Sequence, residues 1–288
     1  MTRKKAGEGG SYSRSHTVAF RAFVVLFALA ALVPGFGLVD LTTPINPRWH
    51  EGYVAEVGYG ALAGILLPVG FLAQLRDPAG RIAGLQQVAA AVPAYVAAGL
   101  LGDDGDFLPF AAIVAAAAAI AVLLHPARKR FVTGVTFRPR LALLALAMAV
   151  PAALYGLEAA KNQRDGIPPL ALDSHGPLNS WAALAAAAFA VALVALLTSL
   201  GTDGFPIPGW SAGAAVAVWA LTSLAHPGDP GSEGRVWASL ALAWALVFVA
   251  AVERERRARN APGRRRRVRV SRHCASQPLW LPPGRSGS

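Results

Sequence analysis

Six residues capable of chemistry lie between the long apolar runs of this 288-residue chain: His50, Glu51, Glu158, Asp173, His175 and His226. Imidazole nitrogens and carboxylate oxygens are the donors of zinc and copper sites, and three histidines with one carboxylate complete a four-coordinate ion. The same residue types are ordinary in solvated loops and as helix caps, and these six are widely separated in the chain. Spacing alone leaves both readings open, an outward-facing metal-binding or catalytic cluster and a wet connection. No metal is assigned and no cofactor is predicted.

Other chemistries can be tested residue by residue. His50-Glu51 begins like the H-E-x-x-H zinc motif, but position 54 is valine. No G-x-x-x-x-G-K-[ST] phosphate loop and no G-x-S-x-G nucleophile elbow is present. A membrane b-type haem needs axial ligands within the apolar runs. His125 closes the fourth run, His16 and His273 lie in the terminal segments, and the other three histidines are in loops. Cys274 is the single cysteine, so an intrachain disulfide and a thiolate metal cage are ruled out. An ionisable group in mid-membrane costs several kcal/mol and marks function. Glu56 sits near one end of its run, Glu158 just beyond another, and Gln86 and Gln87 near a third end. A proton-coupled or voltage-sensing mechanism is therefore not expected, and nothing identifies an enzyme.

The elements that must position these residues follow from composition. The chain is 55% apolar and 15% charged, against about 25% charged for a soluble domain. Eight runs approach the roughly 20 residues that cross about 30 Å of hydrocarbon: 19–39, 55–75, 82–101, 107–125, 140–157, 179–200, 207–225 and 235–252. They are too long and too uniformly apolar for outer-membrane strands. The expected fold is all-α, a polytopic transmembrane helical bundle of about eight spans. A basic N-terminus, 1–18, leads into a full-length run with no small-residue cleavage pattern, so its retention is expected. The membrane domain covers 19–253 and an Arg-rich, disordered cytoplasmic tail covers 254–288.

Orientation follows from Lys and Arg, which are retained on the cytoplasmic side. With the N-terminus inside, the inner segments hold 23 of the 27 basic residues, and the outer ones hold Arg48, Lys161, Arg164 and Arg235. Eleven of the 16 acids fall outside, including Asp103, Asp104 and Asp106. Both termini are expected inside a plasma membrane. The net charge of +11 thus reflects topology, and no nucleic-acid partner is expected. Arg256, Arg257 and the run Arg264, Arg265, Arg266 and Arg267 are candidates for binding anionic lipid at the cytoplasmic face, at about 1 kcal/mol per basic residue. Lipid is the expected partner, with a further membrane protein as an open alternative.

Two parallel halves, 19–130 and 139–257, suggest themselves. Each has a Pro-bearing first span (Pro34, Pro151), an outer loop with an acid and a histidine, and a second Asp/Gly-rich outer turn. Each ends in a basic cluster. An even number of spans per half makes such repeats parallel. Chance likeness among Ala-rich helices is the alternative. Gly60 and Gly64 form a G-x-x-x-G that permits close helix approach. Trp49, Trp181, Trp210 and Trp237 stand near span ends, where indole rings anchor at headgroups.

The residues AAKNQRDG (159–166), Asp173 with His175, Ser180-Trp181-Ala182, PIPGWSAG (206–213) and TSLAHP (222–227) resemble a family of uncharacterised multi-pass integral membrane proteins of actinobacteria. The likeness covers the C-terminal half. It implies an all-helical bundle in the plasma membrane and carries over no catalytic residue. The functional expectation is a membrane scaffold, accessory or sensory component. A permease-like transporter of a small molecule and an outward-facing metal-binding protein or metalloenzyme are the alternatives. A buried polar lining would favour the transporter and clustered histidines the metal site.

Overall fold

The computed structural model describes residues 14–33, 35–45, 52–168 and 180–260. Every regular element among them is helical. The order is α1 (Arg14–Leu32), α2 (Gly37–Thr42), α3 (Tyr53–Gly60), a π-helical turn (Ala61–Leu66), α4 (Leu67–Leu72), α5 (Ile82–Leu101) and α6 (Leu108–Leu124). Four longer helices follow: α7 (Pro139–Arg164), α8 (Trp181–Ser199), α9 (Pro206–Ala225) and α10 (Gly234–Asn260). Short 3-10 turns follow α2 and α4 and precede α7.

Among the described residues, six helices are long and apolar enough to cross a membrane: Tyr53–Leu75, Ile82–Leu101, α7, α8, α9 and α10. The first expected span instead breaks into α1 and α2, bent by 52°. The fourth, α6, has 17 residues. Polar ends lengthen two others. α7 runs on through Lys161 and Arg164, and α10 continues through the first arginine cluster to Asn260.

Burial identifies the centre. Over their most apolar 18 residues, Tyr53–Leu75 and α8 are 83% and 78% buried, whereas α10 is 28% buried. The run Ala182 to Ala188 in α8 is almost wholly enclosed. Small side chains let α5, α7 and α9 approach it closely, which is how helices gain van der Waals contact in lipid. α1, α4, α5 and α6 pack as neighbours in one group, and α7, α8, α9 and α10 in another. The two groups meet where α3 and the π turn touch α8 and α9, and where α5 touches α8.

The Gly60-x-x-x-Gly64 pair is the seat of α2. A Cβ on Gly60 would stand 2.7 Å from the Leu41 nitrogen, and one on Gly37 would stand 2.5 Å from the Ala63 carbonyl carbon. The α2 backbone and the Leu41 side chain fill that contact, leaving no room for a Cβ on Gly60 or Gly64. The π turn follows directly. Pro68 has no N–H to continue the regular ladder, and a widened turn accommodates the missing bond. Gln87 of α5 donates to the Leu66 carbonyl at its end, at 2.6 Å.

Contacts sort the loops to two ends. At the acidic end Gln163 donates to Asp104 (3.1 Å), Tyr155 to the Gly231 carbonyl (2.7 Å), and the backbone of Val54 to Asp229 (2.7 Å). At the basic end Arg138 pairs with Glu255 and Arg259 with Asp203, each at 2.6 Å. Arg138 also lies over the Phe205 ring, 4.1 Å from its centroid. The backbone of the 136–138 stretch joins the end of α8 through Thr136 and Leu200, at 2.8 Å.

Candidate functional site

The groove between α7 and α10 opens into a cavity of about 460 Å³, backed by α8 and α9. Alanines create the space: Ala147 and Ala152 of α7, Ala188 of α8, Ala220 of α9, and Ala238 and Ala241 of α10 all line it. Larger side chains close its ends. Trp244 donates its indole N–H to the Leu144 carbonyl at 2.8 Å and stacks on Phe248 at 4.6 Å, tying α10 to α7 at the floor. On the outer side of the groove Leu154, Trp237 and Leu240 are more than half exposed. The cavity is therefore open along the apolar flank of the bundle.

Its other end is polar and sits at the acidic end. Tyr155 and Trp219 meet edge to face, with ring centroids 5.4 Å apart. The Tyr155 hydroxyl is held by the Gly231 carbonyl. Gly231 has φ of +85°, and a Cβ there would lie 2.8 Å from Leu184, so glycine allows the α9–α10 turn to tuck against α8. That turn delivers Glu233 to the rim opposite Glu158, and both carboxyls line the cavity. Partial burial, and then the neighbouring Glu158, hold the Glu233 carboxyl above its ordinary range. Among the described residues, no lysine, arginine or histidine lines the chamber. Three indoles, one phenol and two acids make a wall suited to a cation with an apolar body, through ring faces and carboxylate charge together.

The expected site residues divide. Glu158 is part of this rim. His226 is not: at the end of α9 its ring stacks on Tyr53, with centroids 4.1 Å apart. His50, Glu51, Asp173 and His175 lie outside the described residues, as do Arg264 to Arg267. Among the described residues, no group of three His, Cys, Asp or Glu side chains could hold a metal ion. His125 has both ring nitrogens engaged. Nδ1 accepts from the Ala127 N–H at 3.0 Å, which leaves Nε2 to donate toward the Pro78 carbonyl at 3.2 Å and Gln74 at 3.3 Å. The polar stretch from Asn162 to Arg164 is helical and forms the last turn of α7. Gln163 faces inward there and also accepts from the Ala182 N–H at 3.3 Å.

Two groups of residues escaped the reading of the sequence. Trp219, Trp244, Tyr155 and Glu233 line the chamber. Tyr155 precedes Glu158 by one turn, and Trp237 precedes Trp244 by two, so each pair shares a helix face. That signal was present, but which faces meet was not. The second is Asp40, 3% exposed; Glu56, read from the sequence as lying near one end of its run, is 4% exposed. Asp40 is buried because α2 folds back onto Gly60 and Gly64 and takes it along.

No protein-family model, curated protein or solved structure matches the chain.

Proposed function

We propose that the chain is an eight-span plasma-membrane protein built of two parallel four-helix units, with both termini inside, and that it acts as a permease-like carrier of a small organic cation. The span count takes α1 with α2 as one crossing and the 17 residues of α6 as another, a length at the lower limit of the spanning range. The contact pattern supports the two units. In each, the first helix neighbours the second and fourth, and the third neighbours the second and fourth. The units meet through their second and third helices in both combinations. The sharing of one end by the acidic loops and of the other by the basic ones agrees with the charge asymmetry on which the orientation rests.

One observation carries the functional reading. The chamber between α7 and α10 combines Trp219, Trp237, Trp244 and Tyr155 with two carboxyls and, among the described residues, no basic group. A scaffold needs no such interior, and a metal site needs ligands that the chamber lacks. The volume falls within the roughly 300–1,000 Å³ usual for small-molecule sites. Openness along the apolar flank admits an amphiphile from the lipid side as well as from the acidic end.

The test is direct binding to the purified full chain in a non-ionic detergent, with tetraphenylphosphonium as the cation and tetraphenylmethane-like neutral analogues as controls. Saturable quenching of tryptophan fluorescence by the cation alone is expected. Glu158→Gln and Glu233→Gln should each weaken it by about tenfold, the loss of roughly 1.4 kcal/mol. Equal binding of the neutral control, or binding unchanged in both variants, would remove the proposal. Uptake of the bound cation into proteoliposomes then separates carriage from binding.

A further inference from the structure

The chamber between α7 and α10 is a slot whose polarity is gathered at one end. Its lining runs on α7 from Ala147 to Glu158 and beside α10 from Glu233 to Trp244, eleven residue steps in each case and about 16 Å at the helical rise. That is about half of the roughly 30 Å of hydrocarbon that a spanning helix crosses. Glu158, Glu233, Ser223 and the Tyr155 hydroxyl all belong to the acidic end. From there to the floor, no charged side chain lines the slot among the described residues. The Trp244 indole N–H at the floor is already given to the Leu144 carbonyl.

A compact hydrophilic cation would fill only the rim of such a slot. We infer that the occupant is a cationic amphiphile, a positively charged head on a linear apolar tail, with its head between Glu158 and Glu233 and its tail lying along α7 and α10 as far as Trp244. The inference rests on the cation-binding reading of this chamber and narrows the occupant to one chemical class. The posture is that of a lipid in the leaflet at the acidic end, with the head at the bilayer surface and the tail ending near the midplane. An anionic lipid does not fit, because its phosphate would meet two carboxyls of the same sign.

The open flank supplies the way in. Leu154, Trp237 and Leu240 line the slot and are also more than half exposed on the side of the bundle. A tail already dissolved in the bilayer therefore enters sideways, without its apolar surface passing through water. The head then exchanges the bilayer surface for ring faces and carboxylate charge. The head thus selects the ligand, and the length of the slot fixes where the end of the tail lies.

Photo-crosslinking of the full chain in phosphatidylcholine vesicles reads that position directly. The probe is dodecyltrimethylammonium with a diazirine at the tail end, compared with the same amphiphile labelled beside the head and with the tail-labelled dodecanol. The tail label should mark Ala147, Met148 and Trp244, and the head label should mark the residues around Glu158 and Glu233. Excess unlabelled dodecyltrimethylammonium should suppress both sets. At sub-saturating probe, Glu158→Gln should cut the floor adducts by about tenfold. The same adducts from both labels, or equally suppressible floor adducts from dodecanol, would overturn the inference. Tail adducts scattered over the lipid-facing helices while tetraphenylphosphonium still binds would overturn the amphiphile and leave the cation site standing. Scattered adducts together with no binding of tetraphenylphosphonium would remove the cation site itself.

Discussion

Asp229, in the α9–α10 turn, accepts the backbone N–H of Val54 at 2.7 Å through one carboxylate oxygen and that of Gly52 at 3.2 Å through the other. The start of α3 has no capping side chain of its own, since Gly52 occupies that position. The second half of the chain thus caps the first half's most enclosed helix, and its negative charge lies at the positive end of the helix dipole. Asp229→Ala should lower stability by about 0.5–2 kcal/mol, the cost of losing a cap, and Asp229→Asn by less. Thermal unfolding in detergent, followed by circular dichroism, measures both. No change for the alanine variant would show that the cap is replaced by water.

At the opposite end, Arg138 and Glu255 make the corresponding tie between α7 and α10. Their side chains are 11% and 27% exposed, and the pair is 2.6 Å long. Glu255→Gln leaves the guanidinium with the Phe205 ring but without its charged acceptor. A loss of about 1.5–3 kcal/mol is expected, the range for hydrogen bonds to charged groups. Glu253, which takes Arg256 and Arg257 on the open surface of α10, should matter far less when changed to Gln. Equal destabilisation by the two substitutions would contradict this ordering.

Much of the helical architecture was legible because long apolar runs leave the backbone no other economical state in lipid. The sorting of loops to two ends was also legible, since consecutive helices reverse direction. The fate of Asp40 was not. It stood one residue past an expected span ending at 39, and only the match of Gly37 to Gly60 and Gly64 across the fold returns it to the interior. The chamber was hidden for a similar reason: six alanines on four helices are unremarkable in an Ala-rich chain until their faces converge. Trp237, expected as an interfacial anchor, stands at its rim. Trp181, expected likewise, is 9% exposed and donates to the Ile167 carbonyl at 2.9 Å.

For the lipid-binding candidates the structure divides the arginines. Arg256 and Arg257 share Glu253 as acceptor, and Arg256 also lies 5.3 Å from the Trp210 ring centroid. Their charge is partly committed within α10. Removing 261–288 should therefore weaken association with vesicles containing anionic lipid more than Arg256→Gln with Arg257→Gln does, while insertion and folding stay intact. Co-flotation at low and high salt measures the difference. Misfolding of the truncated chain would assign the tail a structural role instead.

The orientation predicts the outcome of reporter fusions. Fusions after Asp104 and after Asp173 should behave as external, and fusions after Arg130 and at the C-terminus as cytoplasmic. The 23-to-4 division of basic residues is the basis. A C-terminal fusion on the external side would reverse the whole assignment, together with the side from which the chamber's acidic rim is reached.

The rim also predicts how cation binding depends on pH. Glu233 is held above the ordinary glutamate range by partial burial and then by Glu158. An organic cation binds the ionised carboxylate, so affinity should be constant at pH values above the raised titration and fall as the pH drops through it. The fall should reach about tenfold per pH unit if one proton competes with the cation. Its midpoint should lie above that of an unperturbed glutamate. Bound cation in turn stabilises the ionised form and moves the midpoint down. Glu158→Gln should also lower the midpoint by removing the like charge, and Glu233→Gln should leave a weaker dependence. Fluorescence titrations of tetraphenylphosphonium across the acidic range measure all three proteins, and an affinity that rises as the pH falls would show that the carboxylates repel the occupant of the chamber.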